Sequence, residues 1–209
     1  MENTIVYLIR HADTLNENGI RKTNETNQII NEKEILSVKG EKDAKRISEI
    51  LELNNIDTLW SSSYTRAKST AKYIAENNKL EINIDERFNE RKLGNLSEIA
   101  IFMKGTNSFD PSQEQLKNRT FKTSDGESCE DTRKRMSEAI NEILKQYMGK
   151  NIVIVSHGGS IKFTLLNWCT LNNQTTLVYN NKELNINSPS VIKLIFNSSK
   201  ELINLIQIV

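Results

Sequence analysis

The chain has 209 residues and carries 28 Lys and Arg against 27 Asp and Glu, a formal net charge of +1. That balance argues against a nucleic-acid coat or an acidic tail, both of which need a strong charge bias. The length suits one domain, expected over residues 1–209 with an inserted lobe, and is sufficient to bury a core without disulfide or metal staples.

The apolar residues are grouped into short periodic segments, which marks a folded chain with a polar surface. Ile5-Val6-Tyr7-Leu8-Ile9 is an unbroken apolar run ended by Arg10-His11. Such a run suits a strand buried on both faces. Residues 12–34 are polar and aperiodic and read as a long surface loop. Ser37 is the expected N-cap of a helix that places Ala44, Ile47, Ile50 and Leu51 on one face. Residues 56–60 read as a second strand ending in Ser61-Ser62-Ser63. A helix is expected over 64–77, with Ala67, Ala71, Ile74 and Ala75 inward. Ile82 and Ile84 alternate with polar residues as in a short strand.

Residues 88–125 show the least pattern. They hold Gly94, Gly105, Pro111 and the cations Lys104, Lys117, Arg119 and Lys122, and read as an inserted lobe or lid. The four cations are candidates for selecting an anionic substrate, against the plainer reading of a solvated charged face. Residues 127–148 have Met136, Ile140, Ile143, Leu144 and Tyr147 near the helical period. Asn151–Ser156 is a second buried strand ended by His157-Gly158-Gly159, and another helix follows. Residues 190–196 and 202–208 suit a closing hairpin. Strands alternating with helices predict an α/β fold: a three-layer α/β/α sandwich with a mostly parallel sheet. In such sheets ligands bind beyond the carboxyl ends of the strands.

Both histidines of the chain, His11 and His157, follow directly on predicted buried strands. If the strands lie side by side, both imidazoles reach one site. Arg10 precedes the first histidine. Gly158-Gly159 follow the second at a helix start, where backbone N–H groups and the helix N-terminus favour an anion. Arg66 is expected in the first turns of the helix after the second strand; taken alone it reads as a solvated arginine, but the same geometry aims it at the same sheet edge. Two guanidiniums and two imidazoles suit a phosphoryl group. Glu90, at the entry to the irregular lobe, is the candidate acid for a leaving oxygen, provided that its pKa is raised, and Asp13 is its competitor. Cys129 and Cys169 make neither a disulfide framework nor a zinc site and are expected as small core residues in a reducing compartment. Trp60 and Trp168 are expected to serve core or strand-end packing rather than ligand stacking. No run of about 18 apolar residues is present, and no apolar leader precedes the first strand, so a cytoplasmic location without membrane association is expected.

Six segments in order resemble the histidine phosphatase superfamily, also called the phosphoglycerate mutase-like family. Leu8-Ile9-Arg10-His11-Ala12-Asp13-Thr14 resembles its Arg-His-Gly signature, and Leu36-Ser37-Val38-Lys39-Gly40 its Leu-Thr-x-x-Gly. Ser61-Ser62-Ser63-Tyr64-Thr65-Arg66-Ala67 is similar to its second-arginine segment, and Phe88-Asn89-Glu90 with Gly94 to its acid-carrying segment. Gly126-Glu127-Ser128 with Asp131 and Arg135 resembles the entry to its long helix, and Ser156-His157-Gly158-Gly159 its second-histidine motif.

The resemblance implies a phosphoglycerate mutase-like fold and a metal-independent reaction with no cofactor. His11 would form a phosphohistidine. Arg10, Arg66, His157 and Gly158 would bind the phosphoryl group, and Glu90 would donate a proton to the leaving group. Ala12 stands where the family has Gly, which is tolerable if its φ is negative. Where family members often carry a phosphate-binding Asn, this chain has Glu17 flanked by Asn16 and Asn18; either Asn takes the contact or it is lost. The short stretch from Gly94 to Gly126 favours a phosphatase for a small phosphorylated metabolite. A phosphoglycerate mutase, a protein phosphohistidine or phosphoserine phosphatase, and a silent phospho-ligand binder are the alternatives. The closing hairpin offers an edge strand for a homodimer.

Overall fold

The computed structural model describes residues 2–15, 27–104 and 111–209. A six-stranded sheet runs through the molecule in the order β3-β2-β4-β1-β8-β9. Strands β1 (Thr4–Arg10), β2 (Thr58–Ser61), β3 (Ile82–Ile84) and β4 (Asn151–Ser156) are parallel, and β8 (Ser190–Phe196) and β9 (Leu202–Gln207) continue it antiparallel.

The side chains of β1 and β4 alternate between two apolar cores. Tyr7, Ile9, Val153 and Val155 pack against Ile47 of α2 (Val38–Ser48) and against Ala67, Ala71 and Ile74 of α3 (Thr65–Asn78). Val6, Leu8, Ile152 and Ile154 face Met136, Ile140, Ile143 and Leu144 of α6 (Cys129–Gln146), and Ile161 and Leu165 of α7 (Gly158–Leu165). This is the three-layer arrangement expected from unalternating apolar strands. Fully burying each such side chain contributes about 1.5–3 kcal/mol.

Helix starts follow the sequence. Ser37 accepts from the Gly40 N–H at 2.9 Å and caps α2. Ser128 and Asp131 form a reciprocal capping box at α6, which satisfies two otherwise orphaned N–H groups. Cys129 and Cys169 are buried, and Trp60 and Trp168 pack half-buried against the α6 side of the core.

Three expectations need correction. The loop read over 12–34 contains helix α1 (Asn27–Lys33) and an antiparallel bridge between Thr14 and Leu36. The irregular lobe contains α4 (Leu96–Met103), capped by Asn95, and α5 (Pro111–Lys117). Between α7 and β8 lies an unexpected three-stranded antiparallel sheet, β5 (Thr170–Leu171), β6 (Leu177–Tyr179) and β7 (Lys182–Leu184). Its hairpin turns at Asn180 and Asn181, both with positive φ, as a tight two-residue turn requires. No helix among the described residues is long and apolar enough to cross a membrane.

Candidate active site

Strand register builds the site. Arg10 pairs with Ser156, and Ser61 with Val155, so β1, β2 and β4 end at one level. The chain stays tied one residue further: the His11 N–H donates to the Ser156 carbonyl and the Ser62 N–H to the Val155 carbonyl, both at 3.0 Å. His11, Ser62 and His157 therefore leave the sheet together. The two imidazole centroids lie 5.1 Å apart, edge to face.

His11 is held as one tautomer. Its Nδ1 lies 2.8 Å from the Ala12 carbonyl oxygen, to which it must donate. Its Nε2 accepts from Nε of Arg66 at 3.0 Å. Nε2 thus carries the in-plane lone pair of the ring. Burial and the positive charges of Arg66 and Arg10, opposed in part by the Ala12 bond and by Glu90, lower the His11 pKa to about 3, so the ring is neutral near pH 7. Ala12 is not among the residues with positive φ. Its methyl packs with Leu36 and Ala44, so the family glycine is replaced without strain.

Arg66 opens α3 and is 4% exposed. Its Nη1 donates to the Asn31 carbonyl of α1 and lies 3.6 Å from the Glu34 carboxylate. Arg10 donates from Nη1 to the Ile186 carbonyl at 2.6 Å, and Ser188 Oγ donates to the His11 carbonyl at 2.8 Å. The segment before β8 therefore braces both signature residues. Gly158 opens α7 against Arg10: a Cβ there would lie 3.0 Å from the guanidinium carbon.

The start of α7 holds an anion belonging to the protein itself. The Glu90 carboxylate accepts from the N–H of Gly159 at 3.1 Å, of Ser160 at 2.9 Å and of Arg91 at 2.9 Å. Gly159 permits this approach, since a Cβ would fall 2.7 Å from Glu90 Oε1 and 2.6 Å from Arg91 Nη1. Burial alone would raise the Glu90 pKa. The charge of Arg91, these N–H bonds and the charge of Arg66 outweigh burial and lower it to about 2. The expected raised pKa is therefore not found, and Glu90 is ionised. His157 is neutral: burial, with the charges of Arg66, Arg135 and Arg10 adding to it, lowers its pKa well below the usual value. Asp13, the competitor, accepts from Ser37 Oγ at 3.0 Å and so supports the start of α2.

A cavity of about 800 Å³ is lined by Arg10, His11, Arg66 and Glu90 together with Thr14, Asn31, Glu34, Lys92, Asn95 and Asp125; the buried His157 and Gly158 are not among its lining residues. Lys104, Lys117, Arg119 and Lys122 are not among its lining residues; Lys117 pairs with Glu114 and Lys122 with Asp131. Asn16, Glu17 and Asn18 lie outside the described residues. Among the described residues, no cluster of three or more His, Cys, Asp or Glu side chains is arranged to hold a metal ion. The sequence reading gave no role to Arg91, Lys92 or Ser160. Arg91 and Lys92 adjoin Glu90 in the motif already singled out, which is the signal that could have found them.

A fold with two imidazoles, two arginines and a carboxylate at one strand edge is that of a phosphoryl-transfer protein. The chain belongs to the histidine phosphatase superfamily (branch 1), whose model matches residues 6–203. It is 30% identical over 156 residues to a probable phosphoglycerate mutase GpmB of Salmonella arizonae, covering 73% of this chain and 69% of that one. It is 28% identical over 171 residues to the GpmB of Yersinia enterocolitica, covering 77% and 74%. Among solved structures, a mycobacterial glucosyl-3-phosphoglycerate phosphatase superposes with a TM-score of 0.73 at 20% identity, covering 100% of this chain and 98% of that one. Bacillus stearothermophilus YhfR gives 0.66 at 22% identity, covering 95% and 94%. The fold is thus phosphoglycerate mutase-like.

Proposed function

We propose that this chain is a metal-independent phosphomonoester hydrolase that acts on a small phosphorylated metabolite through a phosphohistidine at His11. The observation that carries the reading is the fixed tautomer of His11, with Nδ1–H tied to the Ala12 carbonyl and the Nε2 lone pair turned to Arg66.

In the first step Nε2 attacks phosphorus and the bond to the ester oxygen breaks. The leaving oxygen takes a proton from Glu90. Arg10, Arg66 and His157 offset the charge on the equatorial oxygens, where fixed, preorganised donors are most effective. In the second step water attacks phosphorus, its proton passes to Glu90, and the P–N bond breaks. Before substrate binds Glu90 is ionised and His157 is a neutral imidazole, so each must gain a proton with the substrate. A phosphoryl dianion beside them raises both pKa values, and a monoanionic ester brings one proton of its own.

The names of the curated relatives favour a second reading, a phosphoglycerate mutase. A mutase must shield its phosphohistidine from water. Incubation with 3-phosphoglycerate separates the two: isomer without free phosphate means mutase. A phosphate-release screen across phosphorylated metabolites, phosphohistidine and phosphoserine peptides included, tests the hydrolase reading and its substrate class. Release from none of them, with tight phosphate binding, would leave a silent binder. A cytoplasmic location, a single domain over 1–209 with its lobe at about 88–125, and a homodimer through β9 belong to the same proposal.

A further inference from the structure

The hydrogen bonds around Ser62 have one consistent assignment. Ser62 is fully buried. Its Oγ lies 2.7 Å from Asn89 Oδ1, 3.2 Å from the Tyr64 N–H and 2.7 Å from His157 Nε2. Asn89 Oδ1 also accepts from the Ser63 N–H at 2.9 Å, and a backbone N–H cannot face an amide nitrogen, so the oxygen end of the amide is fixed. The Ser62 hydroxyl must therefore donate to Asn89, because that oxygen only accepts. Its two remaining positions accept, one from Tyr64 and one from His157. His157 Nε2 is consequently the donor, and Nδ1 is the nitrogen without a hydrogen-bond partner among the described residues.

We propose that Ser62 and Asn89 are positioning residues that act through His157: the amide orients the hydroxyl, the hydroxyl holds the imidazole as the Nε2–H tautomer, and Nδ1 is thereby the nitrogen presented to a phosphoryl oxygen. This rests on the phosphoryl-transfer reading above for its purpose, but not for its measurement. The arrangement mirrors that of His11. There a backbone carbonyl accepts from Nδ1–H and leaves Nε2 bare to attack; here a hydroxyl accepts from Nε2–H and leaves Nδ1 to take up a proton and donate it as a hydrogen bond. Two neutral rings 5.1 Å apart are held as opposite tautomers for opposite tasks.

The chain has only two histidines, so ring-labelled ¹⁵N-histidine spectra show two imidazoles, and H157Q assigns them. The expected result is His157 protonated at Nε2 and His11 at Nδ1 in the unliganded protein. Ser62→Ala and Asn89→Ala should each drive His157 to a tautomer mixture, whereas Ser62→Thr should keep the wild-type pattern. In turnover, Ser62→Ala should lower kcat by about tenfold to a hundredfold with a smaller change in KM, as for a misplaced contact group, and Ser62→Thr should restore most of it. Nδ1–H on His157 in the wild type overturns the proposal even if no variant folds. So does an unchanged His157 spectrum in Ser62→Ala, or an equal kcat loss in Ser62→Ala and Ser62→Thr. If the protein hydrolyses no ester, the function fails while the tautomer measurement still decides this inference.

Discussion

Arg66 donates from Nε to Nε2 of His11 at 3.0 Å, so the arginine occupies the lone pair that would attack phosphorus in the proposed reaction. An incoming phosphoryl group would have to take the guanidinium for its own oxygens and so free that lone pair. On this reading binding and activation would be one event.

Replacing Arg66 should therefore have two effects. Arg66→Ala is expected to lower kcat/KM by about a hundredfold to a thousandfold, the usual loss for one donor to developing charge. It should also raise the His11 pKa, because Arg66 is the second-largest cause of its depression; burial, the largest, keeps it below the ordinary value. NMR titration of the His11 ring checks this, and an unmoved pKa would contradict the role given to the contact.

Glu90→Gln should separate substrates by leaving group. Alkyl phosphates need the proton and should lose about 10²-fold or more, within the range of general acid catalysis. Aryl phosphates with good leaving groups should lose far less in a single-turnover burst. Equal losses on both would move the acid role away from Glu90.

Phosphate or vanadate binding should take up protons at pH 7. Glu90 is lowered to about 2 and His157 well below its usual value, and an anion beside them raises both. Calorimetry in buffers of different ionisation enthalpy reads the uptake, and Glu90→Gln should reduce it. Proton release on binding would reverse this account.

Acid stability has a definite sign. His11 titrates near 3 when folded, against about 6.5 unfolded. Between these values the unfolded chain binds more protons, so stability falls as pH drops through that window. Glu90, lowered to about 2, contributes stability above its unfolded pKa that is lost as pH falls through about 2. His11→Gln should flatten the decline of the urea midpoint between pH 6 and pH 4, as measured by fluorescence, without removing the steeper loss below it.

Gly159→Ala places a methyl 2.7 Å from Glu90 Oε1 and 2.6 Å from Arg91 Nη1. Side chains must move rather than backbone, so the fold should survive at a cost of about 1–3 kcal/mol. Activity should fall with alkyl substrates as it does in Glu90→Gln. A fully active variant would mean that the carboxylate need not sit on α7.

The main sheet and both histidines were legible because they depend on patterns that packing cannot override. Runs such as Ile5–Ile9 and Ile152–Val155 have no polar residue to turn outward. Glu90's protonation state was not legible, since it is decided by Arg91 and by N–H groups 69 and 70 residues away. Helix α1 was missed because its polar residues carry no period. The small sheet was missed because its strands are two or three residues long, although Asn180-Asn181 did carry a turn signal. The Ser62 relay lay inside a recognised motif, but only the register of β2 against β4 brings it to His157.

Arg10 and His11 leave β1, yet their braces are Ile186 and Ser188, 176 and 177 residues further along the chain. Translation therefore delivers these supports long after the groups they hold. A nascent chain that has emerged only through α6 carries His11 and Arg66 without His157 or either brace, so on the proposed reading the ribosome would display no partial catalyst.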